Sequence, residues 1–323
     1  MRRPVRRPDE SGQLSLSSTI AVPRPETPVR RRTAPSLLTR RRRRVGVVLT
    51  LPAFILVGLL IVWPILQAVY YSMTNWDGLT TQWVGPSTWW QAFHNPTMWR
   101  ALENNALLLL AVPFALALPL AVAVMLHQRV AGWKVFRSIY FLPTAISWVV
   151  IGLVAEHFFA YSGTLNSLLH RVGVSGAHTD LLGSESTALI ALGITFVFSM
   201  IGTNTMIFLT GLATLDTSLE EAARIDGAGT WRIFRHITLP HLSRFIQLAF
   251  VMTVISAFSA LFSLIFVMTG GGPGYATTTM EFLVYQTGFN QSQFGTAALY
   301  GLILFVITAV VGVIQLRLIG AND

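Results

Sequence analysis

The run Glu220-Glu221-Ala222-Ala223-Arg224-Ile225-Asp226-Gly227-Ala228-Gly229-Thr230-Trp231-Arg232-Ile233-Phe234-Arg235-His236-Ile237-Thr238-Leu239-Pro240 lies between two long apolar stretches, 187–212 and 245–268. Its order of residues reads as two short helices. Asp216, Thr217 or Ser218 can cap the first, and Glu220 and Glu221 sit in its early turns, where the helix dipole favours negative charge. Gly227 suits its stop, because glycine takes the left-handed conformation that follows a helix C-terminus. A second helix is expected from about Thr230, with Ile233, Phe234 and Ile237 as an apolar stripe, until Pro240 interrupts it. An amphipathic linker lying on a membrane has similar composition, so only the order of residues separates the two readings.

Working outward, the 323 residues are 53% hydrophobic and only 11% charged, against roughly 25% charged in ordinary soluble chains. A hydrocarbon core about 30 Å thick needs about 20 mostly apolar helical residues. Six stretches qualify: 45–73, 105–126, 139–159, 187–212, 245–268 and 296–318. The first is much longer than a signal-peptide core of about 7–15 residues and no small-x-small cleavage site follows it, so it reads as a retained helix. The expected fold is all-α and polytopic. Lys and Arg are retained on the cytoplasmic side, and 21 of the 23 fall before the first stretch, in the even-numbered loops or at the C-terminal end; only Arg100 and Arg171 lie opposite. Both termini are therefore expected in the cytoplasm, as is the quoted run.

The net charge of +9 comes from thirteen arginines before Val45. Residues 1–44 combine Arg, Pro and Ser with little apolar content, so a disordered tail attracted to anionic membrane lipid is expected. No aromatic or structured element accompanies these arginines, so no nucleic-acid partner is expected. Residues 45–104 read as the first helix and an external loop, 105–318 as a five-helix membrane domain with a large loop at 211–244, and 319–323 as a short end. The external loop carries Trp76, Trp83, Trp89, Trp90 and Trp99, which suits an amphipathic segment at the outer interface. Pro64, Pro113, Pro119 and Pro143 fall inside spans, where the backbone carbonyls they free must be satisfied by neighbouring helices.

Several chemistries are excluded. Without cysteine there is no disulfide, thiolate metal site or thiol nucleophile. A phosphate-binding loop of the G-x-x-x-x-G-K-[ST] type needs a lysine in that setting, and the single lysine, Lys134, stands between Trp133 and Val135. No H-E-x-x-H or G-x-S-x-G run is present. Ion-coupled transport needs ionisable groups at membrane depth, and the spans are nearly free of them, with Glu156 and His157 near an outer end. Any ATP-driven work therefore requires a separate subunit, and no catalytic or metal residue is expected in this chain.

The quoted run resembles the E-A-A-x-x-D-G-A…F…I-x-L-P signature of binding-protein-dependent ATP-binding-cassette (ABC) permeases. Glu221, Ala222, Ala223, Asp226, Gly227, Ala228, Phe234, Ile237, Leu239 and Pro240 occupy its positions, while Asp216 and Arg244 stand where the family often has proline. Leu51-Pro52, Trp63-Pro64, Ser72 to Trp76, Phe136-Arg137-Ser138, Phe141-Leu142-Pro143, Tyr161 to Asn166, Thr269 to Gly274 with Thr277, and Phe289…Phe294-Gly295…Ala297-Ala298 extend the likeness to the maltose and glycerol-phosphate branch. The resemblance implies a type I importer permease in a bacterial inner membrane. A second, similar permease would complete a heterodimer, two cytoplasmic ATPase subunits would carry ATP and Mg, and an external solute-binding protein would deliver a carbohydrate. Glu221, Ala222, Ala223, Asp226, Gly227 and Ala228 would dock the ATPase. A sugar path needs uncharged hydrogen-bonding groups and aromatic faces, offered by Phe196, Ser199, Thr203, Asn204, Thr253, Ser256 and Ser259, although Ser and Thr in spans also serve as interhelical glue. The same machinery carrying glycerol phosphate or a polyamine, and a stand-alone secondary transporter, are the alternatives.

Overall fold

The computed structural model describes residues 49–128, 140, 142–172 and 180–320. The expected disordered tail, the basic residues Arg129, Lys134 and Arg137, and the final residues 321–323 lie outside them. By its contacts the chain divides after Leu56. The described part of the first unit is the opening of α1 (Leu49–Tyr71), with exposed side chains. The rest of α1 and every later element belong to the second unit.

After α1 come α2 (Ser87–Phe93), α3 (Pro96–His127), α4 (Trp148–Phe159), α5 (Thr164–Arg171) and α6 (Glu185–Leu212). The quoted run then forms α7 (Thr217–Ile225) and α8 (Thr230–His241), followed by α9 (Ser243–Ser259), α10 (Leu261–Met268), α11 (Met280–Tyr285) and α12 (Phe294–Gly320). Among the described residues there is no strand beyond one bridge, Thr74 to Trp83. Five helical stretches are long and apolar enough to cross a membrane, and up to six if α8 and α9, which meet at 67°, count as one span.

Three spans differ from expectation. The second begins at Pro96 rather than near residue 105, because Asn95 caps it by accepting from the Thr97 N–H at 2.9 Å and Pro96 has no N–H to leave unpaired. The third is not one helix over 139–159: it breaks at Ile146 and restarts behind the cap Ser147, whose Oγ accepts from the Val149 N–H. The fifth divides at Ala260 into α9 and α10. Ser259 Oγ donates to the Ile255 carbonyl at 2.8 Å, a local bond of the kind that bends helices.

In a bilayer the lipid is as apolar as a leucine core, so close backbone approach must hold the bundle together. Accordingly α3 packs on α6 through Ala115, Ala123 and Ala191, each at most 2% exposed. A Cβ on Gly202 would run into Thr144 and stand 2.8 Å from the Tyr140 carbonyl. The apolar core joins α3, α4, α6, α9 and α10 around Phe196, Leu192, Leu261 and Leu264, all fully buried.

Candidate functional site

The loop that follows α6 is built by caps. Asp216 Oδ1 accepts from the Ser218 N–H at 2.9 Å and starts α7; that hydrogen bond holds its carboxyl below the ordinary range. Gly227, at φ +79°, stops it. The Ala228 N–H reaches back to the Ala223 carbonyl at 2.9 Å and the Gly227 N–H to Arg224 at 3.1 Å, which is the Schellman closure. The second helix runs past the expected stop at Pro240. Its middle, Phe234–Thr238, widens into a π turn, and Pro240 falls in the first turn of the next segment, where no N–H is needed. The interruption comes at Leu242, where the 67° bend into α9 begins.

Packing divides the loop into two faces. Ile233 is 5% exposed, and it lies with Glu220, Arg224 and Phe234 against Val124 and His127 of α3 and Leu212 of α6. Glu220 pairs with Arg224 at 3.5 Å. Glu221 is exposed and forms no ion pair among the described residues. Ala222, Asp226 and Gly227 are exposed beside it, while Ala223 and Ala228 are half-buried. Ile225 and Trp231, 86% and 70% exposed, present large apolar groups in the same region of the chain. The loop thus offers a carboxylate, a backbone bared by small residues and two apolar anchors, the ingredients of a protein contact. The motif pointed to Glu221 and its neighbours; Ile225 and Trp231 carry no motif and emerge only from their exposure.

The seven residues expected along a sugar path separate by burial. Phe196, Ser199, Asn204 and Thr253 are each at most 3% exposed, Ser256 is half-buried, and Thr203 and Ser259 are exposed. Asn204 Nδ2 donates to the Ala115 carbonyl at 2.7 Å and to Thr253 Oγ1 at 2.9 Å, while Thr253 Oγ1 donates to the Ala249 carbonyl. Ala115 is four residues before Pro119, so its carbonyl is the one that the proline leaves without a helical partner. Asn204 therefore supplies α6's answer to the proline of α3 and ties in α9 as well. Ser199 donates to the Thr195 carbonyl of its own helix.

At the opposite end of the bundle, Asn104 Nδ2 donates to the Tyr275 and Thr278 carbonyls and Asn105 accepts from the Met280 N–H. These bonds hold the turn after α10, where Gly270, Gly271 and Gly274 take positive φ as expected of the glycine run. Asn105 also donates to Glu281, whose second oxygen is sealed from solvent without a partner. Burial pushes the Glu281 carboxyl up to about 7. Of the tryptophans between α1 and the middle of α3, Trp76 stacks on Tyr71 with centroids 4.3 Å apart and Trp89 donates to Ser72. Trp83, Trp90 and Trp99 are exposed, as interfacial anchors would be.

Residues 108–320 match the family described as binding-protein-dependent transport system inner membrane component. The chain is similar to a probable ABC transporter permease protein of Pyrococcus horikoshii, 34% identical over 81% of this chain and 90% of the relative. It is also similar to the multiple sugar-binding transport system permease protein MsmF of Streptococcus mutans, 31% identical over 79% and 88%. Its fold matches a chain of a bacterial alginate ABC transporter solved in complex with an alginate pentasaccharide-bound periplasmic protein, with TM-score 0.74 at 20% identity, over 85% of this chain and 93% of the other. The chain thus belongs to the binding-protein-dependent inner-membrane transport components, the multi-pass permeases of ABC transporters.

Proposed function

We propose that this permease forms half of the translocation path for a carbohydrate, and that a separate cytoplasmic ATPase seats on the exposed side of α7. The observation that carries the docking assignment is the division between two adjacent glutamates: Arg224 occupies Glu220, whereas Glu221 remains exposed and unpaired among the described residues. A basic residue of the ATPase is its natural partner, with Ile225 and Trp231 as apolar anchors. Arginine placement supports a cytoplasmic location for this loop and for both termini. ATP and Mg belong to the ATPase; closure of that subunit moves α7, and α8 transmits the motion through the Leu242 bend into α9, biasing the spans between two states.

The carbohydrate reading is supported by the near absence of charge in the spans and by the saccharide-related names of similar transporters. An external solute-binding protein and a second permease complete the machine in this reading. The surface-reachable Thr203, Ser256 and Ser259 are the path residues we retain from the seven; Phe196, Ser199, Asn204 and Thr253 support them from within the packing. The test is co-purification with a candidate ATPase from a neighbouring reading frame. Glu221→Lys is expected to weaken association about tenfold or more, with the wild-type fold kept. Undiminished association, or uptake by this chain alone in ATP-free vesicles, would defeat the proposal.

A further inference from the structure

At the end of the bundle opposite the docking loop, the external segment and the start of α12 enclose a cavity of about 440 Å³, within the range of about 300–1,000 Å³ in which small ligands are held. Its walls are tied together across the chain. Asn95 Nδ2 donates to the Tyr300 hydroxyl at 3.1 Å, the Gly295 N–H to the Trp76 carbonyl at 3.0 Å, and the Gln293 N–H to the Thr287 carbonyl at 3.0 Å. The Trp76 ring lies against Phe294 at 5.2 Å. Gly295 permits this approach, since a Cβ there would collide with the Thr74 carbonyl.

The lining is almost wholly amide and hydroxyl, and none of the lining residues is Asp, Glu, Lys, Arg or His. The side chains of Gln91 and Gln293 are exposed and make no hydrogen bond among the described residues, so both ends of each amide are available. An amide offers donors and an acceptor together, which matches a hydroxyl that also does both. A charged ligand would find no counter-charge here, and an apolar one would strip water from the amides without replacing its bonds. Tyr275 and Tyr300 add aromatic rings to the same wall. None of the seven mid-span path candidates lines this cavity.

We propose that this cavity is a binding subsite for a neutral saccharide unit at the outer mouth of the permease, separate from the mid-membrane path. The placement at the entry side rests on the importer reading; the ligand chemistry rests on the lining. The test uses the full chain in nanodiscs, without ATPase or binding protein, and saturation-transfer NMR with maltose, trehalose, lactose, raffinose and N,N′-diacetylchitobiose, with glycerol 3-phosphate as the charged control. At least one neutral saccharide is expected to bind, and Gln91→Ala with Gln293→Ala, both at exposed positions, is expected to weaken it about tenfold. Tyr300→Phe, which keeps the ring, should weaken it less. Absence of binding by every saccharide, binding undiminished in the double variant, or binding of glycerol 3-phosphate alone overturns the subsite. Adding a candidate ATPase to the wild-type nanodiscs afterwards separates the two claims: saccharide binding without ATPase association counts against the importer reading, and association without saccharide binding counts against the subsite alone.

Discussion

Replacing Asn204 by alanine tests how the bundle tolerates the proline in its second span. The side chain makes two buried hydrogen bonds, at 2.7 Å to the Ala115 carbonyl and 2.9 Å to Thr253 Oγ1. Both contacts require the Asn204 nitrogen: a carbonyl can only accept, and the Thr253 proton is committed to Ala249. Interhelical hydrogen bonds in membranes average about 0.6 kcal/mol and reach about 1.7, and a stranded buried carbonyl adds about 1 kcal/mol or more. Asn204→Ala is therefore expected to cost about 2 kcal/mol. Pro119→Ala restores an N–H in helical position to reach Ala115, so in that background the Asn204→Ala cost should fall to about 1 kcal/mol, a coupling well above the scatter of independent sites. Equilibrium unfolding of the four variants in mixed SDS micelles closes the cycle. Equal losses from Asn204→Ala in both backgrounds would refute the idea that Asn204 compensates the proline.

Gly227→Val forces a β-branched residue into φ +79°, at about 1–2 kcal/mol. No side chain or backbone crowds that position, so the helix end should be distorted and ATPase coupling reduced while the spans keep their unfolding midpoint. Gly295→Ala puts a methyl into the Thr74 carbonyl and within 3.0 Å of the Trp76 nitrogen; limited proteolysis should cut within residues 75–95, and saccharide binding at the outer cavity should be lost. Glu281 holds its proton up to about pH 7 in the folded chain against an ordinary 4.5. As pH rises between these values only the unfolded chain ionises, so stability falls across pH 4.5 to 7 and levels above it, a loss on the order of 3 kcal/mol. Glu281→Gln should flatten that slope; an unchanged pH profile would show that the carboxyl is hydrated.

Much of the loop after α6 was legible in the residues themselves. Asp216 as a cap and Gly227 as a stop are decisions made within a few residues of the chain, where local hydrogen bonding and φ preference dominate. The approximate position of the apolar spans followed from composition, because hydrocarbon thickness sets a length that the sequence must meet; the count of six holds only if the bent α8–α9 pair is one span. Helix breaks were harder to read. Pro143 marked the third span, yet the restart at Ser147 and the division at Ala260 depend on what each segment packs against, and Pro240, expected to interrupt, sits harmlessly inside a helix.

Only the folded chain decided which polar residues are available. Ser, Thr and Asn in a span look equally suited to a ligand until their partners are known. Asn204 Nδ2 is committed to Thr253 and to the carbonyl freed by Pro119, deep in the packing, whereas Thr203 and Ser259 reach the surface. Glu220 and Glu221 both stand within a turn of Arg224, at i+4 and i+3, and only the folded side chains show that Arg224 pairs with Glu220. The outer cavity has no sequence signal at all, since its walls come from segments roughly 200 residues apart, joined by bonds such as Asn95 to Tyr300. Sequence determines which groups a chain possesses and the local turns they favour; tertiary contact determines which of those groups stay both unpaired and open to solvent, and those are the ones left to bind.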